Sequence, residues 1–255
     1  MSERADYGID APYVIRNLAI ASVAGFSVWI STAVLHLWSG RIGPLLVPNM
    51  GFGIGIWTGI SAIWMWYSSR YGKVREREHL LDAIAWRGDE QVLDVGCGRG
   101  LMLIGAAKRV TTGKATGIDI WQTEDLSGNK AEATVENARR EGAAERVVVK
   151  TADMRKIPLP DASIDVVVSR AAIHNLYDAA DRAATIKEIA RVMKPGARAL
   201  IDDIRHHGEY TRTFVENGCD VRRLDSKAVS GFWTLITFGS LSPAQLMVTK
   251  APTSS

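Results

Sequence analysis

Three glycines at alternate positions, Gly96, Gly98 and Gly100, follow the apolar run Gln91–Val95 and precede a helical pattern from Leu101 to Val110. Asp94 stands two residues before the first of them, and Asp119 closes a second apolar strand 19 positions beyond Gly100. Glycine lets a chain turn sharply and lets a ligand approach bare backbone. An acid about 20 residues past such a loop can accept hydrogen bonds from ribose hydroxyls. The unit therefore reads as a nucleotide-type cofactor site. Its spacing excludes the dinucleotide fingerprint G-x-G-x-x-G, because positions 101 and 103 are both leucine. No G-x-x-x-x-G-K phosphate loop occurs.

A second group of reactive residues follows the strand expected over 164–169. His174 and Asn175 sit in S-R-A-A-I-H-N-L. A histidine titrates near pH 6.5, so His174 can take a proton at neutral pH, or it can be a buried structural residue. Asp202, Asp203, Arg205, His206 and His207 come after a later strand. Their crowding on one turn, with no separated third partner, argues against a metal site. Cys97 and Cys219 make no metal or disulfide framework, and Cys97 reads as a small spacer inside the glycine loop. A net charge of +3 over 255 residues is mildly basic and does not point to nucleic acid. No basic stripe with interleaved aromatics appears either.

The elements that hold these residues alternate. Strands are expected at 91–95, 115–120, 146–150, 164–169 and 198–202. Helices are expected at 75–86, 101–110, 129–141 and 180–193, with Ser127 available as a cap and Gly142 as a stop. Strands separated by helices imply a parallel sheet with crossover helices. Past Gly208 come a short helix, 209–217, and the stretch 219–225. Two runs at 232–238 and 244–250 then read as antiparallel edge strands.

The acid-x-Gly-x-Gly-x-Gly motif of Asp94, Gly96, Gly98 and Gly100 resembles that of the class I S-adenosylmethionine-dependent methyltransferases. The resemblance covers roughly residues 92–250, and K-E-I-A-R-V-M-K-P-G at 187–196 is similar to members that act on small molecules such as quinones, sterols and tocopherols. It implies an α/β, Rossmann-like sheet, mostly parallel, ending in an antiparallel hairpin, and S-adenosyl-L-methionine as cofactor. It also implies roles. Asp94 and the three glycines hold the methionine part, Asp119 bonds the ribose, and Ile120 packs on the adenine. Asp153 accepts from the adenine amino group with Met154 beside it. Ser169 borders the transfer point, and the stretch with His174 and Asn175 lines the acceptor pocket. Asp119 as a cap and Asp153 as a turn residue are the plainer alternatives. One departure is the longer W-Q-T-E-D-L-S-G-N at 121–129, whose Trp121, Glu124, Asp125 and Asn129 could face a ligand or solvent.

The first 72 residues lie outside that core. Residues 18–38 and 48–67 contain no Asp, Glu, Lys or Arg. At about 1.5 Å per residue each spans about 30 Å, the thickness of a bilayer core, so a hairpin of two transmembrane helices is expected. Gly51, Gly55 and Gly59 share one helix face, and Ala21 and Gly25 repeat the interval, as in close-packed membrane helices or an interface between copies. Trp38, Trp64, Trp66 and Tyr67 suit an aromatic belt, with His36 near the interface. Arg4 and Arg16 precede the pair, Arg70, Lys73, Arg75 and Arg77 follow it, and only Arg41 lies in the 39–47 connection. That bias puts both termini and the catalytic part in the cytoplasm. Glu3, Asp6 and Asp10 argue against a cleaved leader.

Four regions result: a membrane hairpin at 1–72, a connecting helix at 73–90, a cofactor-binding domain at 91–250 and a short tail. The expected activity is methyl transfer to a small lipophilic acceptor that enters from the bilayer. His174 is the base where the acceptor must shed a proton. A membrane-anchored cofactor sensor without turnover is the rival reading. The oligomeric state stays open.

Overall fold

The computed structural model describes residues 4–34, 43–225, 231 and 242–252. Contacts divide the chain into two units: Met1–Tyr7 with Glu76–Trp121 and Lys130–Ser255, and Gly8–Arg75 with Gln122–Asn129.

The larger unit is built on seven strands: β1 (Gln91–Val95), β2 (Lys114–Asp119), β3 (Val147–Thr151), β4 (Ile164–Arg170), β5 (Met193–Asp203), β6 (Cys219–Arg223) and β7 (Ala244–Lys250). Their order in the sheet is β3-β2-β1-β4-β5-β7-β6. The first five run parallel, with Val92 beside Ala115 on one side and Val166 on the other. β7 is antiparallel to both β5 and β6. Helices α4 (Leu101–Ala107), α5 (Ala131–Arg140), α6 (Ala179–Val192) and α7 (His207–Glu216) supply the crossovers. Leu93, Val95, Val167, Ile186, Ile189, Ile201, Tyr210 and Phe214 form one buried cluster. This agrees with continuous apolar strands that are covered on both faces.

Several local expectations change. The partner of β7 is Cys219–Arg223, while the expected strand at 232–238 lies outside the described residues. α5 begins at Ala131 behind Lys130, with no side-chain cap. Asp178 caps α6 by accepting the Ala180 amide at 2.8 Å.

The smaller unit holds α1 (Pro12–Val34) and α2 (Gly43–Tyr67), then a π-turn, Ser68–Gly72, with the unit boundary falling inside α3 (Lys73–Asp82). α1 starts six residues earlier than its apolar run, so Arg16 lies within the helix. Trp38, His36 and the 39–42 part of the connection lie outside the described residues. The small residues bring the two helices together. A Cβ on Gly25 would stand 2.7 Å from the Gly55 nitrogen and 2.8 Å from the Gly51 carbonyl oxygen. Ser22 Oγ donates to the Gly55 carbonyl at 2.7 Å. The glycine face thus serves the pair itself.

Among the described residues one helix, Pro12–Thr32, is long and apolar enough to cross a membrane, and only 6% of its window is buried. The expectation was two such helices; among the described residues α2 is not a second one. The charge bias also changes on folding. Lys73 is buried, with Nζ donating to the Gly8 carbonyl at 2.8 Å and to Asp10 Oδ1 at 3.0 Å. Within the larger unit, buried Arg77 bonds Tyr7 Oη at 2.9 Å and Glu141 at 3.2 Å.

The long 121–129 segment finds an explanation in the smaller unit. Ser127 Oγ accepts from the Ile9 amide at 2.8 Å, and the Asp125 carbonyl accepts from Ala11 at 2.9 Å. Residues 125–127 thus dock on the segment that leads into α1, and Ser127 is spent there rather than on capping α5.

Candidate cofactor and acceptor site

β1 and β4 are neighbours where the strand order reverses, and the carboxyl ends of strands at such a switch point are where open parallel sheets bind ligands. The bend after β1 takes positive φ at all three glycines: 72° at Gly96, 50° at Gly98 and 86° at Gly100. A Cβ on Gly96 would lie 2.4 Å from the Ala172 Cβ and 3.5 Å from Met154 Cε. The Gly96 and Cys97 amides donate to the Ile118 carbonyl at 2.9 and 3.0 Å. The Gly98 amide donates to Asp119 Oδ2 at 2.8 Å. Asp119 also accepts from the Trp121 amide at 2.6 Å through Oδ1, so it braces the loop as well as bordering it.

Asp94 is the most unusual carboxyl here. It is 1% exposed, and Oδ2 accepts from the Leu103 amide at 2.7 Å, while buried Oδ1 has no partner among the described residues. Burial pushes its pKa up to about 8, against the Leu103 hydrogen bond. Such an acceptor fits a cationic donor on a ligand. Burial also pushes the Cys97 thiol well up, in keeping with a spacer rather than a nucleophile.

The other expected residues divide. Ile120 is 45% exposed just past β2, open to a planar ligand. Asp153 is held by Arg155, whose Nη2 lies 2.6 Å from Oδ2 and whose Nη1 also reaches Asp181 at 2.7 Å. That hydrogen bonding lowers the Asp153 pKa. The buried Ser169 hydroxyl donates to the Val95 carbonyl at 2.8 Å, tying β4 to β1. Trp121 Nε1 bonds Thr151 Oγ1 at 2.8 Å, which keeps the indole beside β3.

His174 and Asn175 lie in a 3-10 turn, Ile173–Asn175, two residues past the alanine that touches Gly96. The His174 Nδ1 is 2.5 Å from Oδ1 of Asp203, the last residue of β5. The residues after β5 argued against a metal site in the sequence and gave no sign of this pairing. Asp202 instead pairs with Arg170 at 3.1 Å, and Arg170 also reaches Glu76. Burial pushes Asp202 up to about 7, with Arg170 opposing. His206 contacts Glu209 at 3.3 Å, and His207 Nε2 contacts the Ser242 carbonyl at 2.5 Å. The four side chains take four separate partners, and no group of three or more metal-ligating side chains occurs among the described residues.

The family model for the methyltransferase domain matches residues 93–201. The matched stretch is similar to a methyltransferase domain. The match spans the glycine loop, Asp119, Asp153, Ser169 and His174. The chain is 33% identical over 132 residues to 27-O-demethylrifamycin SV methyltransferase of Amycolatopsis mediterranei, covering 51% of this chain and 44% of the relative. It is 32% identical over 167 residues to methyltransferase GfsG of Streptomyces halstedii, covering 66% and 52%. The chain spans about half the length of these curated relatives. The fold is shared with geranyl diphosphate C-methyltransferase from Streptomyces coelicolor A3(2), solved with S-adenosyl-L-homocysteine. The TM-score is 0.54 at 16% identity, covering 69% of this chain and 76% of that one. A SAM-dependent methyltransferase from Aquifex aeolicus shares the fold as well, with a TM-score of 0.53 at 22% identity, covering 69% of this chain and 90% of that one.

Proposed function

We propose that this protein is a membrane-anchored enzyme that moves a methyl group from S-adenosyl-L-methionine to a small lipophilic acceptor. In this reading Asp94, Gly96, Gly98 and Gly100 hold the methionine part, and Asp119 with Ile120 and Met154 holds the adenosine. Asp153 reaches the adenine once it shares its carboxylate with Arg155. Ser169 and the turn bearing His174 and Asn175 face the acceptor. The bound cofactor supplies an activated methyl on a sulfonium. The chain has to align the acceptor behind it and keep water away.

The observation that carries the cofactor half is the buried, unpartnered Asp94 oxygen beside three left-handed glycines. The membrane half rests on the outer faces of the helix pair. Ile20, Val23, Val28 and Ile30 of α1 and Trp57, Ile60, Ile63 and Trp64 of α2 are all exposed, the last four by 59–69%. A continuous apolar surface of this kind needs a partner, and lipid is the partner that suits a whole hairpin. The two-helix hairpin, with both ends cytoplasmic, is part of the proposal. A nearby bilayer would dissolve the acceptor, hence the lipophilic class.

The test is transfer of labelled methyl from S-adenosyl-L-methionine into lipids extracted from the membranes of the native host, with the full-length protein in liposomes. Labelled lipid supports the reading. Cofactor binding without labelled product favours a sensor. Release of the protein from liposomes by alkaline carbonate removes the anchoring half.

A further inference from the structure

Asp203 is 2% exposed and receives four donors. Oδ1 accepts from His174 Nδ1 at 2.5 Å and from the Ile204 amide at 2.8 Å. Oδ2 accepts from the His174 amide at 3.1 Å and from Tyr210 Oη at 3.2 Å. A carboxylate has about four lone-pair sites and no proton to give. The proton in the His174–Asp203 contact therefore sits on Nδ1, and in the neutral ring Nε2 is then the bare nitrogen. Nε2 has no hydrogen-bond partner among the described residues, and the His174 side chain keeps 16% of its surface open. The turn is also held from its far side, where buried Arg182 donates to the Leu176 and Tyr177 carbonyls at 2.8 and 2.9 Å.

We infer that Asp203 is a positioning residue that fixes His174 as a proton acceptor, and that the acceptor is methylated on a hydroxyl oxygen. The inference deepens the methyltransferase reading and rests on it. An amine attacks through a lone pair it already has, and a thiol ionises near neutrality. A phenol holds its proton up to about pH 10, so it gains most from a fixed base. In the step, the O–H proton passes to His174 Nε2 and the O–H pair stays on oxygen. That oxygen forms the bond to the methyl carbon as the carbon–sulfur pair returns to sulfur, which becomes a neutral thioether. The imidazolium then gives its proton to water. The groups facing this dyad are Tyr210 and His207 on α7, Asp202 on β5, and the Arg182–Glu209 pair joining α6 and α7.

The test uses the full chain in detergent with ¹⁵N-labelled histidine, the His174 signals being assigned through His174→Gln. The wild type should display protonated Nδ1 and bare Nε2. Asp203→Asn, whose amide can donate to Nδ1, should switch the ring to the Nε2–H form, and Asp203→Glu should restore the first. In the lipid-labelling assay Asp203→Asn should cut turnover by about 10²-fold or more, in kcat rather than KM. The labelled product should release its methyl as methyl iodide in hot hydriodic acid, as an O-methyl ether does. A wild-type Nε2–H tautomer, or an Asn variant that keeps both tautomer and rate, overturns the role of Asp203. Carbon-bound label overturns the hydroxyl acceptor. Absence of any label, with the tautomers as expected, defeats the methyltransferase reading and leaves the role of Asp203 as positioner standing.

Discussion

The carboxyl of Asp94 accepts the Leu103 amide at 2.7 Å through one oxygen and keeps its other oxygen buried, with no partner among the described residues. The first contact anchors the start of α4, while the second waits for a donor. Replacing Asp94 with Asn keeps the shape and removes the carboxylate that forms when a cationic ligand displaces the proton. A charge-assisted hydrogen bond contributes about 1.5–3 kcal/mol, so Asp94→Asn should weaken S-adenosyl-L-methionine binding by roughly 10- to 100-fold. Calorimetric titration of the two proteins checks this, and equal affinities would remove Asp94 from the cofactor site.

The same carboxyl sets a pH dependence in the free protein. Its folded pKa is raised to about 8 from 3.8, chiefly by burial and partly by the nearby Asp119 charge. Between those values the folded state keeps a proton that the unfolded chain has released. Stability from this group is therefore full below about pH 3.8, declines as pH rises and is gone above about pH 8. Asp202, raised to about 7, acts in the same direction. Asp94→Asn should lose only the Asp94 part. Its Tm relative to the wild type should climb from pH 5 to pH 9, which thermal melts without cofactor can follow.

Arg77 is buried among Tyr7, Glu78 and Glu141, with its side chain 3% exposed and that of Glu141 15% exposed. Removing one partner of a buried pair leaves the other charge without its match. Arg77→Ala should destabilise the fold by about 3–5 kcal/mol. Tyr7→Phe, which removes the hydroxyl's two hydrogen bonds, one given to Glu141 and one received from Arg77, should cost about 2 kcal/mol. Chemical unfolding of the detergent-solubilised protein measures both, and a shift under 1 kcal/mol for the arginine change would contradict the geometry.

The helix pair makes a covalent prediction. A Cβ on Gly59 would lie 3.7 Å from the Ser22 Cβ, inside the range for a disulfide. The double variant Ser22→Cys, Gly59→Cys should close a bond within one chain on mild oxidation, since Cys97 and Cys219 are buried. Adding Gly25→Leu, which forces the backbones apart, should abolish it. A gel reads the outcome: a covalent dimer in place of a compact monomer would mean that the small-residue face joins two copies.

Local pattern made much of this protein legible. Residues 91–119 carry the strand, the bend and the acid within one short stretch, so the order of elements and a nucleotide-type site could be read from spacing, while the resemblance of the motif implied the cofactor. Alternation of strand and helix made the sheet parallel, and β7 was readable from its own run Ala244–Lys250, centred on Leu246, Met247 and Val248. Glycines at every fourth residue announced a close helix contact before any partner was known.

Tertiary structure decided what depends on residues far apart. Nothing near His174 in the chain names Asp203, 29 positions away; adjacent parallel strands bring their ends together. Spacing cannot tell that Lys73 and Arg77 turn inward to Asp10, Tyr7 and Glu141, which removes them from the count of surface cations. Nor can it tell that Ser127 serves Ile9 rather than a helix end. Periodicity records which face of an element is apolar, whereas the choice of polar partner is made by whichever donors the folded backbone sets within about 3 Å.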